Sequence, residues 1–185
     1  KRQGDVAVED YLAKGYLPEA LVNFVALLGF NPTGDREIYT VQELIEAFDL
    51  SRVNKSGAVF DRIKLDWMNG QYIRSVDSSR LFELAKPFWG TASGLDDAQM
   101  HKILTVEKER LTTLFELAER AQMYLQLPEY ATDDLVWKKA DADDAQTHLK
   151  ALLLILESID SSVLEDRALN EGVIKKYIEE NGFQN

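Results

Sequence analysis

At 185 residues, with 45% apolar and 29% charged side chains, the chain is long enough for one large packed domain or two small ones. It has no cysteine, which excludes disulfides, thiolate metal sites and cysteine nucleophiles and fits a reducing cytoplasm. The formal charge of −11 ordinarily argues against a nucleic-acid partner, DNA included, but it is uneven: residues 1–75 hold 9 basic and 11 acidic side chains, residues 76–185 hold 12 and 21, so the amino-terminal part repels a phosphate backbone least.

No apolar run approaches the roughly 20 residues of a bilayer crossing, and no secretory pattern opens the chain, so no membrane partner is expected. His101 and His148 stand far apart without a His-Glu-x-x-His pattern and read as surface or helix-flank residues; no metal is expected.

In chain order, Pro18 sits where a first helical turn begins, with Leu21, Val25 and Leu28 as a stripe widened by Phe24 and Leu27. Gly29, Asn31-Pro32 and Gly34-Asp35 close that helix and form a loop. Thr40 and Glu43 form a capping box ahead of Leu44, Ile45 and Phe48. After a polar stretch, Asp61 is placed to cap a helix whose Leu65, Met68 and Tyr72 share a face. That helix contains Asn69-Gly70, a turn-like pair, with Lys64, Trp67 and Arg74 largely on another face, and Gly70 costs it about 1 kcal/mol of propensity.

A short helix follows Ser78-Ser79 and runs toward Pro87, and WGTASG over 89–94 reads as a loop. Asp96 and Asp97 lead a helix through Met100, Ile103 and Leu104, and a further helix is predicted from about Glu107 to Leu125. A short helix around Trp137 precedes a long one with Leu149, Leu152, Leu153 and Leu156 as its apolar face; the acidic run DADDAQ reads as its start. The last helix spans about Leu164 to Glu180 and stops at Asn181-Gly182. Without sustained alternation at period two, the expected fold is all α, with a domain boundary near 75–79.

The residues alone define a helical module with a polar and aromatic patch, since no phosphate loop, dinucleotide fingerprint or nucleophile triad is present. The strings KRQGD, GYLPEALVNFVALLGF and SRVNKSGAVFDRIKLDWMNGQYIR, in that order and spacing, resemble the carboxy-terminal half of bacterial-type glutamyl-tRNA synthetases. The resemblance implies a stem-contact helical domain over 1–75 and a helical anticodon-binding bundle over 76–185. It implies that Lys1, as a remnant of the class I signature loop, meets ATP phosphates in a full enzyme using ATP and magnesium. The same likeness implies tRNA-stem contacts by Lys55, Ser56, Lys64, Trp67 and Asn69, although Trp67 reads equally well as a core anchor. In VEKERLTTLFELAERA, Arg110 resembles the arginine that discriminates the third anticodon base; the plain alternative is an exposed arginine paired with Glu107 or Glu109. Gly57 stands where the family often has proline.

The expectations that follow are a tRNA(Glu)-binding portion of a monomeric cytoplasmic ligase. It would be cut short at both ends, hold no cofactor of its own, and bind tRNA only weakly without the rest. An independent helical RNA-binding or protein-interaction module is the alternative.

Overall fold

The computed structural model describes residues 7–30, 32, 35–54, 57–90, 94–137 and 140–182. All regular structure among them is helical: α1 (Val8–Ala13), α2 (Pro18–Gly29), α3 (Val41–Ala47), α4 (Arg62–Ser75), α5 (Ser78–Ala85), α6 (Asp97–Glu107), α7 (Leu117–Leu125), α8 (Ala142–Ser158), α9 (Ser161–Glu165) and α10 (Arg167–Glu180). Short 3-10 turns lie at Leu50–Arg52, Lys86–Phe88, Leu114–Glu116 and Thr132–Leu135. No helix among the described residues is long and apolar enough to cross a membrane.

The helix starts follow local capping chemistry. The Thr40 hydroxyl accepts the Glu43 amide at 3.2 Å while the Glu43 carboxylate takes the Thr40 amide at 2.7 Å, the reciprocal box the sequence predicts. Asp61, Asp96 and Asp141 cap α4, α6 and α8 through their carboxylates. α10 stops at Asn181, followed by Gly182 in the left-handed region.

Two predicted helices are broken. The one expected from Glu107 to Leu125 leaves helical geometry after Lys108 and resumes at Leu114, because Glu116 draws the Thr112 and Thr113 amides to its carboxylate at 3.0 and 2.9 Å. Leu111 turns fully inward at that break. The last helix is split at Asp166, whose carboxylate caps α10 by accepting the Ala168 and Leu169 amides. Around Trp137 there is only the preceding Thr132–Leu135 turn. The loops expected near 31–35 and 89–94 fall partly outside the described residues.

The chain forms two compact units, Lys1–Pro128 and Glu129–Asn185. In the first, α2 packs along α4, and Tyr16, Phe24, Leu65 and Met68 form one apolar cluster. A larger cluster joins Leu17, Ala20, Tyr72 and Ile73 to Leu81, Phe82, Trp89, Ile103, Leu104, Leu111, Leu114 and Leu117. The expected boundary at 75–79 is the Val76–Asp77 bend between α4 and α5, and this second cluster runs across it. Packing therefore joins the two sides of the bend.

Some expected core positions are outside it. Val25 of α2, Ile45 of α3 and Phe48 just after it are exposed, because one short stripe on each helix meets α4 and its neighbours. Asn23 takes an inner place instead, its side-chain oxygen accepting the Tyr39 amide at 2.8 Å and the Tyr72 hydroxyl at 2.7 Å. In the second unit α9 packs on α10, and His148 Nδ1 of α8 meets the Tyr177 hydroxyl at 2.6 Å. Leu149, Leu153 and Leu156 of the predicted α8 face are half exposed.

Candidate nucleic-acid interface

α4 has two unlike faces. Leu65, Met68, Tyr72 and Ile73 are buried, while Lys64, Trp67, Gln71 and Arg74 recur at spacings of three, four and three residues and form a stripe outside that core. At about 1.5 Å per residue the stripe runs about 15 Å along the helix. Trp67 is 42% exposed and belongs to neither buried cluster, so part of the side chain is open to a partner while the rest is covered. With the Gln71 amide in its hydrogen-bonding orientation, its oxygen accepts from Trp67 Nε1 and from Arg74 Nη2, both at 3.1 Å. Lys64 Nζ pairs with Glu37 at 2.5 Å, so a phosphate approaching Lys64 competes with a carboxylate.

Asn69 faces the other way. It is fully buried: its side-chain oxygen accepts the Leu17 amide at 2.8 Å, and its nitrogen donates to the Thr112 carbonyl at 2.6 Å and the Gly15 carbonyl at 3.4 Å. Leu17 is the N-cap of α2 and has no side-chain cap of its own, so Asn69 supplies the acceptor from another helix. The structure thus brings Lys64 and Trp67 to the surface and sends Asn69 inside as a cross-link. Lys1, Lys55 and Ser56 lie outside the described residues.

Arg110 stands in the turn after α6, and its side chain is 67% exposed. Its amide donates to the Glu107 carbonyl at 2.8 Å, and its guanidinium lies 4.0 Å from the Glu107 carboxylate, attracted without a hydrogen bond. The turn is held from both flanks. Arg74 of the α4 stripe donates to the Glu109 carbonyl at 3.2 Å, Asn69 donates to Thr112, and Arg120 of α7 reaches the Arg110 carbonyl at 3.4 Å. A Cβ on Gly70 would come within 3.1 Å of the Leu111 carbonyl, so the helix and the turn touch backbone to backbone there.

Beneath Arg110 lies Glu107, 1% exposed, with Arg120 Nη1 at 3.3 Å and the Tyr124 hydroxyl donating at 2.7 Å. Burial, then the hydrogen bond to Glu107, pushes the Tyr124 hydroxyl up to about 12. The sequence names Glu107 only as a surface partner, sets Arg74 beside Lys64 and Trp67 without giving it a contact, and leaves Gln71 and Tyr124 unmarked. The spacing of 64, 67, 71 and 74 was the signal for Gln71. In the second unit, a groove of about 390 Å³ is lined by Leu135, Val136, Leu149 and Leu153 among others.

The class is helical anticodon-binding: residues 80–185 match the family described as anticodon binding domain, and the chain belongs to that family. Residues 1–67 match the family described as tRNA synthetases class I (E and Q), catalytic domain. The relatives are glutamate–tRNA ligases. That of Clostridium botulinum strain Hall is 38% identical over 90% of this chain and 34% of its own length, and that of Alkaliphilus metalliredigens 36% identical over 100% and 38%. A glutamate tRNA ligase from Elizabethkingia meningosepticum, solved in complex with its amino acid, superposes with a TM-score of 0.70 at 27% identity, over 94% of this chain and 34% of that one. The chain thus spans about a third of the length of these relatives.

Proposed function

We propose that the chain is the tRNA-docking portion of a monomeric, cytoplasmic glutamate–tRNA ligase, with residues 1–75 meeting the stem and 76–185 the anticodon of tRNA(Glu). The parent ligase would activate glutamate with ATP and magnesium, chemistry belonging to its nucleotide-binding fold, with Lys1 at the phosphates. The observation that carries this reading is that the α4 stripe and the Arg110 turn are built on one packed unit and tied together by Asn69 and Arg74.

Trp67 offers a ring for stacking or sugar contact, and Lys64 and Arg74 offer charge to the backbone. Arg110 has a sharper task. Among the four bases, only cytosine presents two adjacent acceptors, N3 and O2, on its Watson–Crick edge, where a guanidinium can donate twice. Guanine, the third anticodon base of glutamine tRNA, presents donors there instead. A bidentate pair of this kind is worth about 1–3 kcal/mol of discrimination, or roughly 5- to 150-fold.

The test is a titration of the 185-residue chain with tRNA(Glu) transcripts carrying cytosine or guanine at that position, at low salt. Weak affinity that falls with salt, with preference for cytosine lost in Arg110→Gln, is expected. Equal discrimination by the wild type and Arg110→Gln removes the assignment.

A further inference from the structure

We propose that Glu107 is the positioning residue for Arg110, a buried carboxylate that fixes where the base-reading guanidinium stands and thereby sets how strongly the third anticodon base is discriminated. The functional half of this rests on the reading of Arg110 given above.

Glu107 occupies a place that is unfavourable for a carboxylate on two counts. It is 1% exposed, and burying an ion is costly unless it is well paired. It is also the last residue of α6, at the negative end of the helix dipole. An apolar side chain would serve the core more cheaply, so the value of a carboxylate lies in what it holds. Its Oε2 holds Arg120 Nη1 at 3.3 Å, and its Oε1 holds the Tyr124 hydroxyl at 2.7 Å and draws Arg110 Nη1 to 4.0 Å. Its main-chain oxygen accepts the amides of Arg110 at 2.8 Å and Leu111 at 3.2 Å.

Arg110 is therefore bracketed. Its amide is tied to Glu107 and its carbonyl to Arg120, which Glu116 holds in turn at 3.0 Å. Its guanidinium is attracted to a fixed charge but stays beyond hydrogen-bond reach, so its forked donors remain for a ligand. An arginine on an unanchored turn would have to give up its rotamer freedom on binding. Holding one such side chain in advance is worth about two- to tenfold in affinity. Substituting Gln at 107 keeps the shape and an acceptor for Tyr124, and removes the charge that draws in Arg110 and Arg120.

The experiment uses the full chain as wild type, Glu107→Gln, Tyr124→Phe and Arg110→Ala, with 15N labelling of the arginine Nε–Hε groups. Anticodon stem–loop RNAs carrying cytosine or guanine at the third position are the probes. Glu107→Gln is expected to retain its helical circular dichroism, lose about two- to tenfold of the cytosine preference with guanine binding unchanged, and show a more mobile Arg110 Nε. A folded Glu107→Gln protein with unaltered preference and unaltered Arg110 mobility overturns the proposal. If Glu107→Gln does not fold, Tyr124→Phe decides: a smaller change of the same sign supports the proposal, and no change overturns it. If Arg110→Ala leaves the preference intact, the anticodon assignment of Arg110 fails, and the Nε mobility alone judges whether Glu107 positions it.

Discussion

Replacing Asn69 by alanine should damage the first unit out of proportion to the size of the side chain. Asn69 is fully buried and makes three hydrogen bonds, at 2.8, 2.6 and 3.4 Å, to the start of α2, the turn before α7 and the α1–α2 turn respectively. The Leu17 amide would be left buried without an acceptor, costing about 1–3 kcal/mol. The Thr112 carbonyl is nearer solvent and recovers part of its loss from water, and the vacated space adds a smaller packing term. Together these give about 2–4 kcal/mol, or a fall in melting temperature of about 5–15 °C for a domain of this size. Urea denaturation followed by circular dichroism and tryptophan fluorescence measures it. Both probes should move together, because Asn69 bonds to segments on each side of the α4–α5 bend. A loss below about 0.5 kcal/mol would refute Asn69 as a cross-link.

Gly15→Ala should be severe, because Gly15 has φ of +77° and an added Cβ would lie 2.6 Å from the Leu114 amide nitrogen; thermal melts should show loss of the folded unit or a drop exceeding that of Asn69→Ala. The Glu116 carboxyl is pushed up by burial, but the Thr112 hydroxyl, the Thr113 and Thr112 amides and Arg120 outweigh this and hold it below its ordinary value. Its stabilising contribution is present above the ordinary carboxylate range and lost as pH falls through the folded value, so Glu116→Gln should destabilise at about pH 7 and much less at about pH 3 in urea titrations; an equal effect at both contradicts this. Trp67→Ala should lower the melting temperature less than Asn69→Ala does while weakening tRNA binding, since Trp67 is 42% exposed and lies outside both buried clusters; a larger stability loss without a binding loss would return Trp67 to the core.

What could be read in advance was whatever short-range chemistry decides. Thr40, Asp61, Asp96 and Asp141 announce helix starts because a cap acts within three residues, and α4 reads as continuous through Asn69-Gly70 because its apolar spacing persists on both sides. The break between α6 and α7 was hidden because Leu111, Leu114 and Leu117 keep a helical spacing while a carboxylate four residues on captures the Thr112 amide. Asn69 was misread for a different reason. Its partners Leu17 and Thr112 lie 52 and 43 residues away, and nothing local distinguishes an asparagine bound for the interior from one on the surface. Glu107 was obscured likewise, since a carboxylate at a helix end looks solvated until Arg120 and Tyr124 fold over it.

The Asn69-Gly70 pair links the two candidate contact regions mechanically. A glycine inside α4 costs about 1 kcal/mol of helix propensity, and what it permits is the approach of the Leu111 carbonyl to within 3.1 Å of where a Cβ would stand. The neighbouring Asn69 then bonds to Thr112, so two successive residues of one helix clamp the turn that carries Arg110. One helical turn farther on, Arg74 of the exposed stripe fastens the same turn through the Glu109 carbonyl. Because the buried and exposed faces of α4 both grip this turn, Trp67 and Arg110 cannot shift independently without breaking the Asn69 and Arg74 hydrogen bonds. A partner touching both therefore meets a fixed spacing, and its shape can be tested along with its sequence.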